Sequence, residues 1–129
     1  MGRKLNLIEE GLTGKIIGAC IEVHKKLGPG LLENAYQICL AREMDLRGIL
    51  YEKEKNLPIE YKGIHLESGY RLDFIVEKTI VVELKAVDKL EKVHEAQLIT
   101  YLKLTGCKVG LLINFNQSTL KEGLVRIVL

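Results

Sequence analysis

Residues 70–87, YRLDFIVEKTIVVELKAV, hold two runs of aliphatic and β-branched residues separated by the short polar break EKT. Such runs read as strands, and so short a break between them reads as a hairpin. Charged residues interrupt the apolar pattern, among them Asp73, Glu83 and Lys85. A charged side chain is costly to remove from water unless it is paired or binds an ion, so charges inside buried strands need a reason.

Side chains alternate across a strand, so Val82, Leu84 and Ala86 share one face while Glu83 and Lys85 project together from the other. By the same count Leu72, Phe74 and Val76 form an apolar face and leave Asp73 opposite. A hairpin closing at EKT then brings Asp73 and Glu83 together. Two converging carboxylates repel, and a hard divalent cation with oxygen ligands relieves the repulsion, Mg²⁺ being the natural candidate. A lysine beside them offsets residual negative charge and can position an attacking water or stabilise a phosphorane-like transition state. That chemistry suits a phosphodiester. Taken alone, an E-x-K element in a chain with 28% charged residues reads as a cross-strand ion pair on a solvated face. Its surroundings tip the reading.

Downstream, a helical pattern runs from about Leu90 to Leu104 and ends at Gly106. Within its EAQLITY segment, Gln97 and Tyr101 lie four residues apart on one face, with Val93 before them on the same stripe. A glutamine on an inward stripe needs a partner for its amide, such as a carboxylate or a bound phosphate. Upstream, apolar spacing predicts a helix over 13–27 capped by Thr13 and stopped by LGPG, then a second over about 31–46 ended by Gly48. Glu33 opens the second helix one turn before Tyr36, where the helix dipole alone favours a carboxylate. His24, near the end of the first helix, is sufficiently explained by its position there. Between Leu50 and the hairpin, strand-like pieces broken by Pro58, Gly63 and Gly69 extend an antiparallel meander. KVGLLINF and LVRIVL supply two last strands.

A chain of 129 residues, 47% of them hydrophobic, fits a single domain over 1–129 with a substantial core. Its net charge of +2 excludes a protein that holds nucleic acid by bulk charge alone. Cys20, Cys39 and Cys107 form no C-x-x-C pair and read as reduced core residues. The N-terminal residues lack the apolar run of a signal peptide and nothing approaches a membrane span, so a cytoplasmic protein is expected.

Taken together, LGPGLLENAY, YRLDFIV, VVELKAV and QLITYL resemble the GxxExxY family, a branch of the PD-(D/E)XK nuclease superfamily, from His24 to beyond Asn114. The naming signature is present as Gly30, Glu33 and Tyr36. The resemblance implies a restriction-endonuclease-like α/β core, a mixed central sheet flanked by helices. It makes Asp73 the metal-binding aspartate, and Glu83 and Lys85 the (D/E)-x-K pair. Glu33 becomes the acidic residue of the preceding helix, and Gln97 with Tyr101 the Q-x-x-x-Y element. The proline that often precedes the aspartate is replaced by Leu72, at a position that varies widely in the superfamily.

The function expected on this basis is metal-dependent hydrolysis of DNA. Asp73, Glu83 and the backbone carbonyl of Leu84 are the expected ligands of Mg²⁺, or of Mn²⁺ in its place, with Glu33 completing the site. Lys85 is expected to orient the nucleophile and Gln97 to hold a ligand or phosphate, while Tyr101 and Tyr36 pack or contact the substrate backbone. The expected partner is nucleic acid, DNA before RNA, with room for a homodimer. The competing reading keeps the fold as a nucleic-acid-binding or protein-interaction module with little turnover.

Overall fold

The computed structural model describes residues 4–129, the side chain of Ser68 excepted. Helices α1 (Leu7–Leu27) and α2 (Glu33–Leu46) open the chain, followed by strands β1 (Tyr51–Tyr61), β2 (Ile64–Val76) and β3 (Ile80–Lys85). Helix α3 (Lys92–Thr105), strand β4 (Val109–Asn114), a 3₁₀ turn at Leu120–Gly123 and strand β5 (Leu124–Val128) complete it. The five strands form one mixed sheet in sequence order. Neighbours run antiparallel except β3 and β4, which are parallel because α3 carries the chain back between them.

Two apolar clusters show why the molecule has three layers. Ile16, Cys20, Tyr36, Leu40 and Met44 of α1 and α2 pack with Phe74, Val82, Leu84 and Leu111 on one face of the sheet. Leu98, Tyr101 and Leu102 of α3 pack with Leu72, Val81 and Leu112 on the other. β3 and β4 are therefore covered on both sides, as parallel strands usually are.

Helix α1 begins six residues before the expected start. Asn6 caps it: its Oδ1 accepts from the Glu9 N–H at 2.8 Å, and Glu9 Oε1 accepts from the Asn6 N–H at 3.1 Å. Thr13, expected as the cap, lies inside the helix, and its hydroxyl is buried without a hydrogen-bond partner among the described residues. A buried, unsatisfied hydroxyl destabilises, so Thr13→Val should raise stability by about 1 kcal/mol. Urea unfolding would register this as a higher midpoint at unchanged slope; a lower midpoint would mean that the hydroxyl has a partner in solution.

Pro58 and Gly69 do not break their strands. β1 runs through Pro58 because it is an edge strand, and the ladder slips between Leu57 and Ile59, where no proline N–H is required. The real break is the turn at Lys62 and Gly63, whose φ values of 45° and 87° are those of a tight hairpin turn. The EKT hairpin forms as expected, with Glu77 and Lys78 both at positive φ. Of the three cysteines Cys20 is buried, while Cys39 and Cys107 are only partly so; all are free thiols.

Candidate functional site

The pairing of β2 with β3 stops at Phe74 and Val82, one residue short of Asp73 and Glu83. Beyond that pair, the two carboxylates take over the work of the ladder. Glu83 Oε1 accepts from the Asp73 N–H, and Asp73 Oδ2 accepts from the Leu84 N–H, both at 2.8 Å. On the outer side β1 is also distorted: Glu54 has φ +55°, and it lies between the Lys53–Phe74 and Lys55–Leu72 pairs. This distortion overturns one expectation. Leu72 packs in the α3-side cluster while Phe74 and Val76 pack against α1 and α2, so the three do not share a face. Local irregularities of this kind re-aim side chains near functional sites.

Glu83 and Lys85 project from the α3 face of β3, opposite Val82 and Leu84, as alternation requires. Glu83 is buried, with 5% of its surface exposed. The Lys85 ammonium donates to Gln97 Oε1 at 3.3 Å, giving the glutamine on the inward stripe of α3 the partner it needs. The Lys85 backbone is held too, since its carbonyl accepts from the Phe115 N–H at 2.9 Å. Just beyond it, the buried Asn114 amide both accepts from the Val87 N–H at 3.1 Å and donates to the Val87 carbonyl at 2.8 Å. The end of β3 that carries Glu83 and Lys85 is thus pinned to the end of β4.

Helix α2 delivers two groups to the same place. Glu33 stands at its first turn and Gln37 one turn later, where Gln37 Nε2 donates to Asp73 Oδ1 at 3.0 Å. Gln37 was not among the expected site residues. The i, i+4 spacing from Glu33 in ENAYQ was the signal that places both on one face. Glu33, Asn34, Gln37, Glu54, Arg71 and Asp73 line a cleft of about 230 Å³, and the Arg71 guanidinium lies 3.9 Å from the Glu54 carboxylate.

Tyr36 lies in the core rather than in this cleft. It is fully buried, stacks on Phe115 with ring centroids 4.6 Å apart, donates its hydroxyl proton to the Gly28 carbonyl at 2.6 Å and accepts from the Leu31 N–H at 3.1 Å. Of the two roles open to it, packing is the one this position serves. Gly30, at φ +102°, donates its N–H to Asn116 Oδ1 at 3.0 Å. The G-x-x-E-x-x-Y pattern thus works as a clamp: Gly30 and Tyr36 fix the loop before α2, and that loop sets where Glu33 points. His24 Nε2 is hydrogen-bonded to the Gln117 carbonyl at 2.8 Å, in keeping with a structural role.

The electrostatics follow from burial. Desolvation raises Asp73 above the usual carboxylate range, opposed by the Leu84 N–H, Lys85 and Gln37. Desolvation, then the Asp73 charge, pushes Glu83 up to about 8. Glu33 is raised by partial desolvation and by Asp73, although its side chain stays open to solvent. Burial and mutual repulsion therefore favour a protonated Asp73–Glu83 pair relative to the same carboxyls in water. Tyr101 feels the same charges: burial first, then Glu83 and Asp73, push its hydroxyl up to about 12.

Among the described residues, no three His, Cys, Asp or Glu side chains converge to enclose an ion. The donor set nonetheless fits a cation of the Mg²⁺ type, which is commonly held by one or two carboxylates and otherwise by water and substrate oxygens. Asp73 and Glu83 provide two hard oxygen donors side by side, both raised above the usual carboxylate range, so that a cation there would relieve their repulsion. The model of a family described as the PD-(D/E)XK nuclease superfamily matches residues 10–127. No curated protein and no solved structure matches the chain significantly. Among the described residues no helix is long and apolar enough to cross a membrane.

Proposed function

Because the chain belongs to the PD-(D/E)XK nuclease superfamily and has its restriction-endonuclease-like α/β fold, we propose that it is a divalent-metal-dependent deoxyribonuclease of the GxxExxY branch. The observation that carries this reading is the carboxylate pair itself. Asp73 and Glu83 hold each other's strand where the ladder fails, are partly or wholly out of water, and lie beside Lys85, whose ammonium reaches Gln97 of α3.

In this reading Asp73, Glu83 and the Leu84 carbonyl are the ligands of Mg²⁺, with Mn²⁺ substituting, and Glu33 joins through water. The cation supplies Lewis-acid polarisation of the phosphodiester and a lower pKa for the attacking water. The chain's own residues do the rest. Gln37 holds Asp73 in orientation through Oδ1 while Oδ2 accepts from the Leu84 N–H. Lys85, steadied by Gln97, faces the negative charge that develops as water's oxygen bonds to phosphorus and the bond to the leaving strand oxygen breaks. Tyr101 walls the site on the α3 side.

Linear, circular and single-stranded DNA, with an RNA control, should separate the substrate classes in one assay. Cleavage of DNA in Mg²⁺ or Mn²⁺ that stops with chelator is expected. Cleavage confined to RNA would move the reading to a ribonuclease, and turnover that persists in chelator would remove the metal from it.

A further inference from the structure

Beside Lys85 lies a second cleft, which shares only Gln97 and Tyr101 with the site above. Its volume is about 270 Å³, and Tyr70, Val93, Ala96, Gln97, Thr100 and Tyr101 line it. One wall is α3. The other is the part of β2 that extends beyond its last pair with β3, where the β1–β2 ribbon stands clear of the rest of the sheet. Tyr70 projects from that ribbon with 43% of its surface exposed and meets the Tyr101 ring edge-on, 6.2 Å between centroids. Val93 opposite is 67% exposed.

Exposed aromatic and aliphatic surface on both walls, with a carboxamide at the inner end, matches what a nucleobase needs. Aromatic faces stack on any base, and an amide can both donate to and accept from a base edge. The cleft holds one planar ring system rather than a base pair. It also shares Gln97 with the Lys85 ammonium, so a base seated there would place its adjoining phosphate next to the carboxylate pair. Resting on the nuclease reading, we propose that the cleft between Tyr70 and α3 takes one unpaired nucleobase, so that the preferred substrate is single-stranded DNA or a frayed or overhanging duplex end.

The test uses fluorescence anisotropy in Ca²⁺ with two labelled DNA probes, a blunt hairpin duplex and the same duplex with a single-stranded end of about five nucleotides. Wild type should bind the overhang probe about tenfold more tightly, the scale of one base–aromatic stack. Tyr70→Ala should erase that preference and Tyr70→Phe should keep it. Ala96→Leu, which fills the cleft from an exposed helix position without altering charge, should also erase it. Equal binding of the two probes by wild type, no binding of either, or a preference that survives both Tyr70→Ala and Ala96→Leu would overturn the proposal. Cleavage of the same probes in Mn²⁺ reports separately on the nuclease reading: cutting without an end preference sinks only the base cleft, and an end preference without cutting sinks only the nuclease.

Discussion

Lys85→Ala is expected to slow DNA cleavage in Mn²⁺ by about a hundredfold or more under single-turnover conditions, the usual consequence of removing a group that stabilises transition-state charge. Lys85 is only partly buried and donates to Gln97 Oε1, so the variant loses one hydrogen bond and little packing. Its fold and its affinity for DNA in Ca²⁺ should change far less than its rate, because the interaction matters most once charge develops. A binding module predicts the opposite order, with affinity falling and no turnover to lose. Equal cleavage by wild type and variant would place the activity elsewhere and sink the assignment of β3 as the catalytic strand.

The second large effect is on stability, and it has a definite sign. Glu83 ionises near 4.5 when unfolded and is raised to about 8 in the fold. Between those values the folded protein holds a proton that the unfolded chain has released, so this contribution to metal-free stability is fully present below about pH 4.5 and is lost as pH rises through 8. The loss is on the order of a few kcal/mol, which for a domain of this size lowers the melting temperature by roughly 10 °C. A divalent cation replaces the proton and relieves the repulsion, so added Mg²⁺ or Mn²⁺ should restore stability, more at pH 8 than at pH 6. At a hundredfold excess over its Kd the gain is about 2.7 kcal/mol. Asp73→Asn removes one of the two charges, so this metal response should vanish and part of the pH dependence should flatten. Melting curves from pH 5 to about 9, with metal and with chelator, read both effects. A metal-free protein that gains stability over that range, or an undiminished metal shift in Asp73→Asn, would contradict the account.

The local periodicities carried the parts of this site that depend on one element at a time. The alternation in VVELK places Glu83 and Lys85 against α3 and their neighbours against α1 and α2, and the four-residue step places Gln97 and Tyr101 together. What a single element cannot reveal is how its neighbour bends. Leu72 changes face because two ladders fail around Asp73, and no pattern within YRLDF reports that. Pro58 sits within a strand because that strand is at the edge, which only the sheet order shows. Two signals were present in the residues themselves: the N-x-x-E of Asn6 and Glu9, which caps α1, and the Glu33–Gln37 step, which brings a second polar group to Asp73. Tyr36 shows a different limit. Its place in a motif marks it as important, but only the stack on Phe115 and the bonds to Gly28 and Leu31 reveal that it works by holding a loop.

All of this turns on whether Asp73 and Glu83 hold a divalent cation between them. Crystals grown in Mn²⁺ and measured at the manganese absorption edge test that directly, since the anomalous signal locates the ion without reference to any assumed ligand. The account predicts a peak bridging the Asp73 and Glu83 carboxylates, with the Leu84 carbonyl in the same coordination shell and the Lys85 ammonium beside it. A peak at other residues, or none at these carboxylates in saturating Mn²⁺, would contradict it.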